Sequence, residues 1–414
     1  MNIELIAVGD ELLLGTTLDR NSNWIASRLT ENGLRLRWHE TVGDNESDIR
    51  HQLRRAWNRA EVVLLTGGLG PTHDDITRPV LTRFFEDDLM FRDDLMEPIR
   101  ERFRARGLDI PPGTEVMAEF PVRAHPIPNL HGSAPGIHYH EDQKQLFAMP
   151  GVPVEMRGMM ESYVLPSLME YRQDHYGFRT IKTTGRGESH LAALIGDPLL
   201  LKPVELAFLP SIDYGVTLRI SATADSKQQV NAVLDQAEEF LKQRIGGFIY
   251  SFSGKLLETV ILDVMRQRGL KLAVAESCTG GIISSRIISI PGSSDVFERG
   301  FITYSDGSKT DLLGVDPAII ATQGAVSGDV AQAMADGARQ RSGADIAMAV
   351  TGIAGPSGGT SEKPVGLVYI GLSDREHSET HRFQFTGDRD TNRRRAAQAA
   401  LNLLWMRLQE TRNG

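Results

Sequence analysis

Val62-Val63-Leu64-Leu65-Thr66-Gly67-Gly68-Leu69-Gly70-Pro71 is the stretch that sets the fold class. A short unbroken apolar run suits a strand buried on both faces, as in parallel sheets. The glycines at its end stop the strand and leave backbone amides open to a ligand. Ile76 to Phe85 then has helical spacing, so the whole stretch reads strand, loop, helix. Upstream, Ile3 to Val8 is another apolar run ending at Gly9. Between the two runs lie polar-faced helices at Asn21 to Glu31, where Trp24, Ile25 and Leu29 share a face, and at Asp48 to Ala60. This alternation predicts a parallel sheet with helices on both faces.

Downstream the pattern changes. Phe178 to Thr184 and Val216 to Thr223 alternate like half-buried strands, and Gln228 to Gln243 is an amphipathic helix. Strand–helix alternation returns from about residue 255. Strands are expected at Leu272 to Ala275, Phe301 to Tyr304 and Asp345 to Val350, with a closing pair at Leu367 to Leu372 and Arg382 to Phe385. Helices are expected at Leu256 to Gln267, Gly280 to Ser289, Val330 to Arg339 and Thr391 to Gln409. The expected architecture is an α/β chain of three domains: 1–170, a small α+β unit at 171–250, and 251–414. A chain of 414 residues is long enough for that division.

The formal net charge is −9, the opposite of the basic excess usual in proteins that hold nucleic acid, so direct nucleic-acid binding is not expected. Cys278 is the one cysteine, so no intrachain disulfide can form, which suits a reducing compartment. The start of the chain lacks the pattern of a secretory signal, and no apolar stretch approaches the ~20 residues that span a bilayer. No membrane contact and a cytoplasmic location are the expectations.

Chemistry concentrates at strand ends. Ala275-Glu276-Ser277-Cys278-Thr279-Gly280-Gly281 follows a strand and opens a helix, where α/β sheets bind ligands. Ser277 there is either a nucleophile beside backbone donors or, with Thr279, simply a helix cap. A serine nucleophile needs a base, and Lys309, entering a helix after Thr303-Tyr304-Ser305, is in reach if neighbouring strand ends lie side by side. Taken alone, Lys309 reads more simply as a solvated lysine. Acting as a base requires its pKa to fall from ~10.4 toward ~7–8. Thr351-Gly352-Ile353-Ala354-Gly355-Pro356 follows another buried strand, and Gly387-Asp388-Arg389-Asp390 precedes the last helix. Arg389 suits a phosphate, or a local ion pair. Cys278 reads as a packed thiol. The run Arg393-Arg394-Arg395 reads as a solvated helix face or an anion clamp.

The strings AESCTGG (275–281), RGFITYS (299–305), GAVS (324–327), TGIAGP (351–356), KPVG (363–366) and GDRD (387–390) together resemble the CinA C-terminal domain, also found alone as the nicotinamide mononucleotide deamidase PncC. That resemblance implies hydrolysis of nicotinamide mononucleotide to nicotinic acid mononucleotide and ammonia, without a cofactor. It implies Ser277 as nucleophile, Lys309 as base and Tyr304 as a catalytic partner. Thr279, Gly280, Thr351, Gly352 and Arg389 become substrate-binding residues.

In the N-terminal third, Gly9-Asp10-Glu11 and Thr66 to Asp75 suit phosphate binding, and Asp10, Glu11, Asp74 and Asp75 suit a divalent cation. One of Asp74 and Asp75 is expected to cap the next helix, and His73 reads as a loop residue. With Val42-Gly43-Asp44-Asn45, Ser133-Ala134-Pro135-Gly136 and Met149 to Met156, these loops resemble the molybdopterin-binding fold in its CinA N-terminal version. The resemblance implies a nucleotide site at Gly9, Asp44, Thr66, Gly67, Gly68, Gly70, Pro71 and Ser133, and metal-dependent ADP-ribose pyrophosphatase activity. Where that family carries Asn-x-Lys-Gln-Ala, this chain reads Gly113-Thr114-Glu115-Val116-Met117-Ala118-Glu119-Phe120 and lacks the lysine. The middle unit resembles the KH-like segment of full-length CinA proteins. It lacks a Gly-x-x-Gly phosphate loop, which favours a structural role, with a homodimer expected. The rival reading is a non-enzymatic accessory of DNA uptake or recombination with a nucleotide- or pterin-binding N-terminal domain.

Overall fold

A computed structural model describes residues 1–170, 174–197 and 202–410. The expected junction after residue 170 and the chain end at 414 adjoin residues outside these. The chain forms two compact units, Met1–Gly177 with Thr223–Lys227, and Phe178–Ala222 with Gln228–Gly414.

In the first unit, β1 (Ile3–Val8), β2 (Leu36–Val42), β3 (Val62–Thr66), β6 (His125–Ile127), β7 (Gly136–Glu141) and β8 (Lys144–Met149) make one sheet in the order β2-β1-β3-β8-β7-β6. A separate ribbon pairs β4 (Leu89–Phe91) with β5 (Glu119–Pro121). The first four strands of the large sheet are parallel. The parallel expectation fails at β7 and β6, which run antiparallel. The cause is local: only Asp142 and Gln143 separate β7 from β8, and Asp142 takes a left-handed φ of 54°. A connection that short can join only antiparallel neighbours.

The all-apolar β1 is explained by period two. Ile3 and Leu5 enter one core with Ile25, Leu29 and Phe147, while Ile6 and Val8 enter another with Ile49, Leu53 and Leu81. Helices Arg20–Glu31 and Glu46–Arg59 therefore cover opposite faces.

The second unit holds two sheets. In the first, β9 (His175–Thr183), β10 (Glu205–Ser211), β11 (Gly215–Ala224) and β12 (Ile249–Ser251) run in the order β10-β11-β9-β12. In the second, β13 (Leu272–Glu276), β14 (Phe297–Ile302), β15 (Ile346–Gly352), β16 (Leu367–Ser373) and β17 (Ser378–Gln384) run in the order β14-β13-β15-β16-β17. The core of this second sheet, β14-β13-β15, is parallel. Leu272 and Val274 meet helices Leu257–Gln267, Ile282–Ile288 and Arg389–Glu410, whereas Ala273 and Ala275 meet helix Gly328–Ser342. The carboxyl ends of three adjacent parallel strands thus deliver Ser277, Thr303 and Thr351 to one edge. Among the described residues no helix is long and apolar enough to cross a membrane.

Candidate active site

Ser277 follows β13 directly, and its amide donates to the Val350 carbonyl of β15 at 2.9 Å. On the other side the Thr303 amide donates to the Glu276 carbonyl at 2.8 Å, which fixes the chain leaving β14. Ser305 then caps helix Asp306–Leu313 and sends Lys309 back under the sheet edge. Its Nζ lies 3.4 Å from Ser277 Oγ. The lysine is 1% exposed and the serine 7%. The Nζ also faces the carbonyls of Thr303 at 3.1 Å and Tyr304 at 3.3 Å. Asp306, the nearest carboxylate, is 3.9 Å away and largely exposed. Burial therefore dominates and pushes the Lys309 ammonium below the ordinary lysine range, against smaller upward pulls from Asp306 and Cys278. A neutral Nζ can still donate to two carbonyls while its lone pair receives the Ser277 proton.

The turn is held by two residues whose part in the site was not read from the sequence. Glu276 is fully buried, and its carboxylate accepts from the amides of Gly281, Ile283 and Ser284 and from the Ser284 hydroxyl. Those amides therefore face Glu276 and not a substrate. The amides of Cys278 and Thr279 have no backbone acceptor among the described residues. Arg393 donates to the carbonyls of Cys278 at 3.1 Å and Thr279 at 3.0 Å. Within the arginine run it is thus a backbone clamp, while Arg394 pairs with Asp213 and Arg395 bonds the Thr386 carbonyl. Gly280 sits at φ +58°, and a Cβ there would come 3.3 Å from an Arg393 nitrogen. Cys278 is buried, which pushes its thiol up to about 12.

The other residues divide. Tyr304 is 63% exposed, and its hydroxyl accepts from Arg389 Nη2 at 3.2 Å. Arg389 also donates to the Gly355 carbonyl at 2.7 Å. The Tyr304 hydroxyl and the Arg389 guanidinium thus hold each other, and among the described residues neither bonds the side chain of Ser277 or Lys309. Thr351 spends its hydroxyl on the Ala325 carbonyl at 2.8 Å, holding the loop before helix Gly328–Ser342. Lys363 grips the same loop at Val326, which gives the KPVG string a structural task. Gly352 is packed against β16, where a Cβ would meet Val368 at 2.6 Å. Thr279 is buried with an unpartnered hydroxyl.

In the first unit, Gly9, Asp44, Gly67, Gly68, Gly70, Pro71 and Ser133 line one cleft of about 940 Å³. Thr66 lies beneath it, its hydroxyl on the Pro150 carbonyl at 3.1 Å. Gly67 is at φ +112°, and a Cβ there would stand 2.2 Å from the Val8 carbonyl, so no larger residue fits. Arg102, Arg106 and His131 also line the cleft. Asn129 shapes its far loop by accepting from the amides of His131 and Gly132 and donating to Glu155.

The divalent-cation site expected at Asp10, Glu11, Asp74 and Asp75 is not formed. Among the described residues no three His, Cys, Asp or Glu side chains converge as a metal site. The carboxylates are spent locally. Asp10 and Asp44 each accept from the other's backbone amide, at 3.2 and 2.9 Å. Asp75 accepts from the amide and hydroxyl of Thr72, and Asp74 meets the exposed His73 at 3.0 Å. Glu11 folds over Gly9.

Family models match along the chain. Residues 4–170 match a "Probable molybdopterin binding domain", 178–251 the "Damage-inducible protein CinA KH domain", and 255–408 the "CinA C-terminal domain". A CinA-like protein of Chloroherpeton thalassium is 40% identical over 414 residues, covering 98% of each chain. A CinA-like protein of Geobacter metallireducens is 38% identical over 411 residues, covering 99% of each. Among solved structures, the competence/damage inducible protein CihA of Agrobacterium tumefaciens is 42% identical and covers 37% of this chain and 93% of its own, with a TM-score of 0.36.

Proposed function

We propose, for a chain that belongs to the CinA family, that its C-terminal domain hydrolyses the amide of nicotinamide mononucleotide to nicotinic acid mononucleotide and ammonia. The observation that carries this reading is the buried Lys309 Nζ within 3.4 Å of Ser277 Oγ, with its charge disfavoured by burial. Lys309 takes the Ser277 proton as Oγ attacks the carboxamide carbon. The Cys278 and Thr279 amides receive the oxyanion. The C–N bond breaks, the proton passes from Lys309 to the leaving nitrogen, and ammonia departs. Water, deprotonated by Lys309, then attacks the acyl–serine ester, and the lysine returns that proton to Ser277 Oγ as the acid leaves. Arg389 and Tyr304 suit the phosphate and sugar of the substrate. The N-terminal cleft, lined by Arg102, Arg106 and a run of glycines, supports binding of a phosphorylated ligand.

Ammonia release from nicotinamide mononucleotide, assayed without added metal, tests the reading. Ser277→Ala should lower it by about a thousandfold or more, and Cys278→Ala should leave it largely intact. Full activity in the serine variant sinks the assignment.

A further inference from the structure

A cavity of about 640 Å³ lies in the second unit, walled by the loop after β9 and by the final strand and helix. It shares no lining residue with the Ser277 constellation. Its size is that of a single bound small molecule. On one side Phe383 and Phe385 lie parallel, with ring centroids 5.6 Å apart and planes at 5°. Stacked on each other, they pack on the C-terminal core and line the cavity, so a further ring can extend the stack. On the other side Gly185-Arg186-Gly187 leads into helix Glu188–Ile195, whose first turn has no side-chain cap. Arg395 enters from the last helix with one nitrogen on the Thr386 carbonyl and the rest of its guanidinium free to reach the cavity. Asn402 also lines it and carries a buried Oδ1 without a partner.

We infer that this cavity is a nucleoside monophosphate site, distinct from both clefts described above. The base stacks on Phe383 and Phe385, since an aromatic face accepts any planar base. The phosphate meets Arg186, Arg395 and the uncapped amides of the Glu188 turn. Glu188 accepts from the ribose hydroxyls, as a carboxylate does in other nucleotide sites. A nucleic-acid strand fits less well, because the cavity holds one nucleotide and the whole chain carries a net charge of −9.

Crystals of the full chain soaked in 8-bromo-AMP test this, because bromine is located by its anomalous scattering whichever cavity it occupies. The expected result is a bromine peak beside Phe383 and Phe385. In solution, calorimetric titration of the full chain with 8-bromo-AMP should show a component that Phe385→Ala and Arg186→Glu each weaken by about tenfold or more, with deamidation of nicotinamide mononucleotide unchanged. Arg186 is exposed, so its variant keeps the test valid if the phenylalanine change disturbs folding. Bromine found only in the N-terminal cleft or at Ser277, binding at crystal concentration only, or a titration indifferent to both variants overturns the assignment. An oligonucleotide that competes better than 8-bromo-AMP overturns it in favour of a nucleic-acid surface.

Discussion

The turn after β13 and the loop after β3 start from the same local design: a buried strand, a glycine-rich exit, acidic residues and a following helix. They end differently. After β13 one carboxylate, Glu276, is buried and gathers four donors, and Lys309 arrives from a different strand end to meet Ser277. After β3 the carboxylates stay near the surface, satisfy their own loop and leave an open cleft. The difference lies in convergence from distant segments under burial. A dense local motif does not bring groups from distant segments together if its polar groups already satisfy one another.

The strongest way to break this contrast is at Lys309. Lys309→Arg, permanently charged, and Lys309→Met should each lower deamidation by about a hundred- to ten-thousandfold. Because burial lowers the lysine pKa, the base form gains population as pH rises, so the rate should climb with pH and then level off near that lowered value. A profile flat from about pH 6 to pH 9 in the wild type would remove the lysine from proton transfer. Lys309→Met also removes a buried amine whose nearest carboxylate, Asp306, is largely exposed, so its thermal midpoint should rise by roughly 2 °C while activity is lost. A lower midpoint would mean that the carbonyl contacts of the amine outweigh the burial penalty.

Much of the C-terminal site was legible because it rests on strand ends. Once β13, β14 and β15 are read as parallel neighbours, Ser277 and Lys309 fall at one edge. What composition and spacing did not carry is direction. Tyr304 lies in the same strand-to-helix segment as Lys309, yet its side chain is exposed and bonds Arg389. Thr351 ends the right strand but donates to a loop carbonyl. Glu276 and Arg393 were invisible as parts of the site because most of their partners are backbone atoms, which no residue pattern records. The N-terminal carboxylates misled for a related reason: two acid pairs at neighbouring strand ends carry the charge a cation needs, but Asp10, Asp74 and Asp75 are each taken up by a nearby donor. The antiparallel end of the first sheet hung on the two residues between β7 and β8.

Glu276→Gln sharpens the contrast next. The amide keeps one acceptor and turns its NH2 toward donors already present in a fully buried place. The expected cost is about 2–4 kcal/mol of stability in denaturant titration, with a fall in deamidation because the turn carrying Ser277 loosens. A cost under about 1 kcal/mol would mean that the turn is held mainly by Arg393.

Asp75 is the matched case on the other side and should give the smallest effect. Its carboxylate also gathers a glycine loop, through the Thr72 amide at 2.9 Å, but it does so in contact with water. Asp75→Ala should cost about 0.5–1 kcal/mol, the scale of an exposed cap, read most directly as faster hydrogen exchange at the Thr72 amide. Because the Asp75 carboxylate is already engaged by its own loop, magnesium added to the wild type should leave that exchange rate unchanged. If magnesium instead slowed exchange in the wild type and not in Asp75→Ala, the acids of this loop would be converging on a cation, and the distinction between the two strand ends would lie in what each binds and not in how each is satisfied.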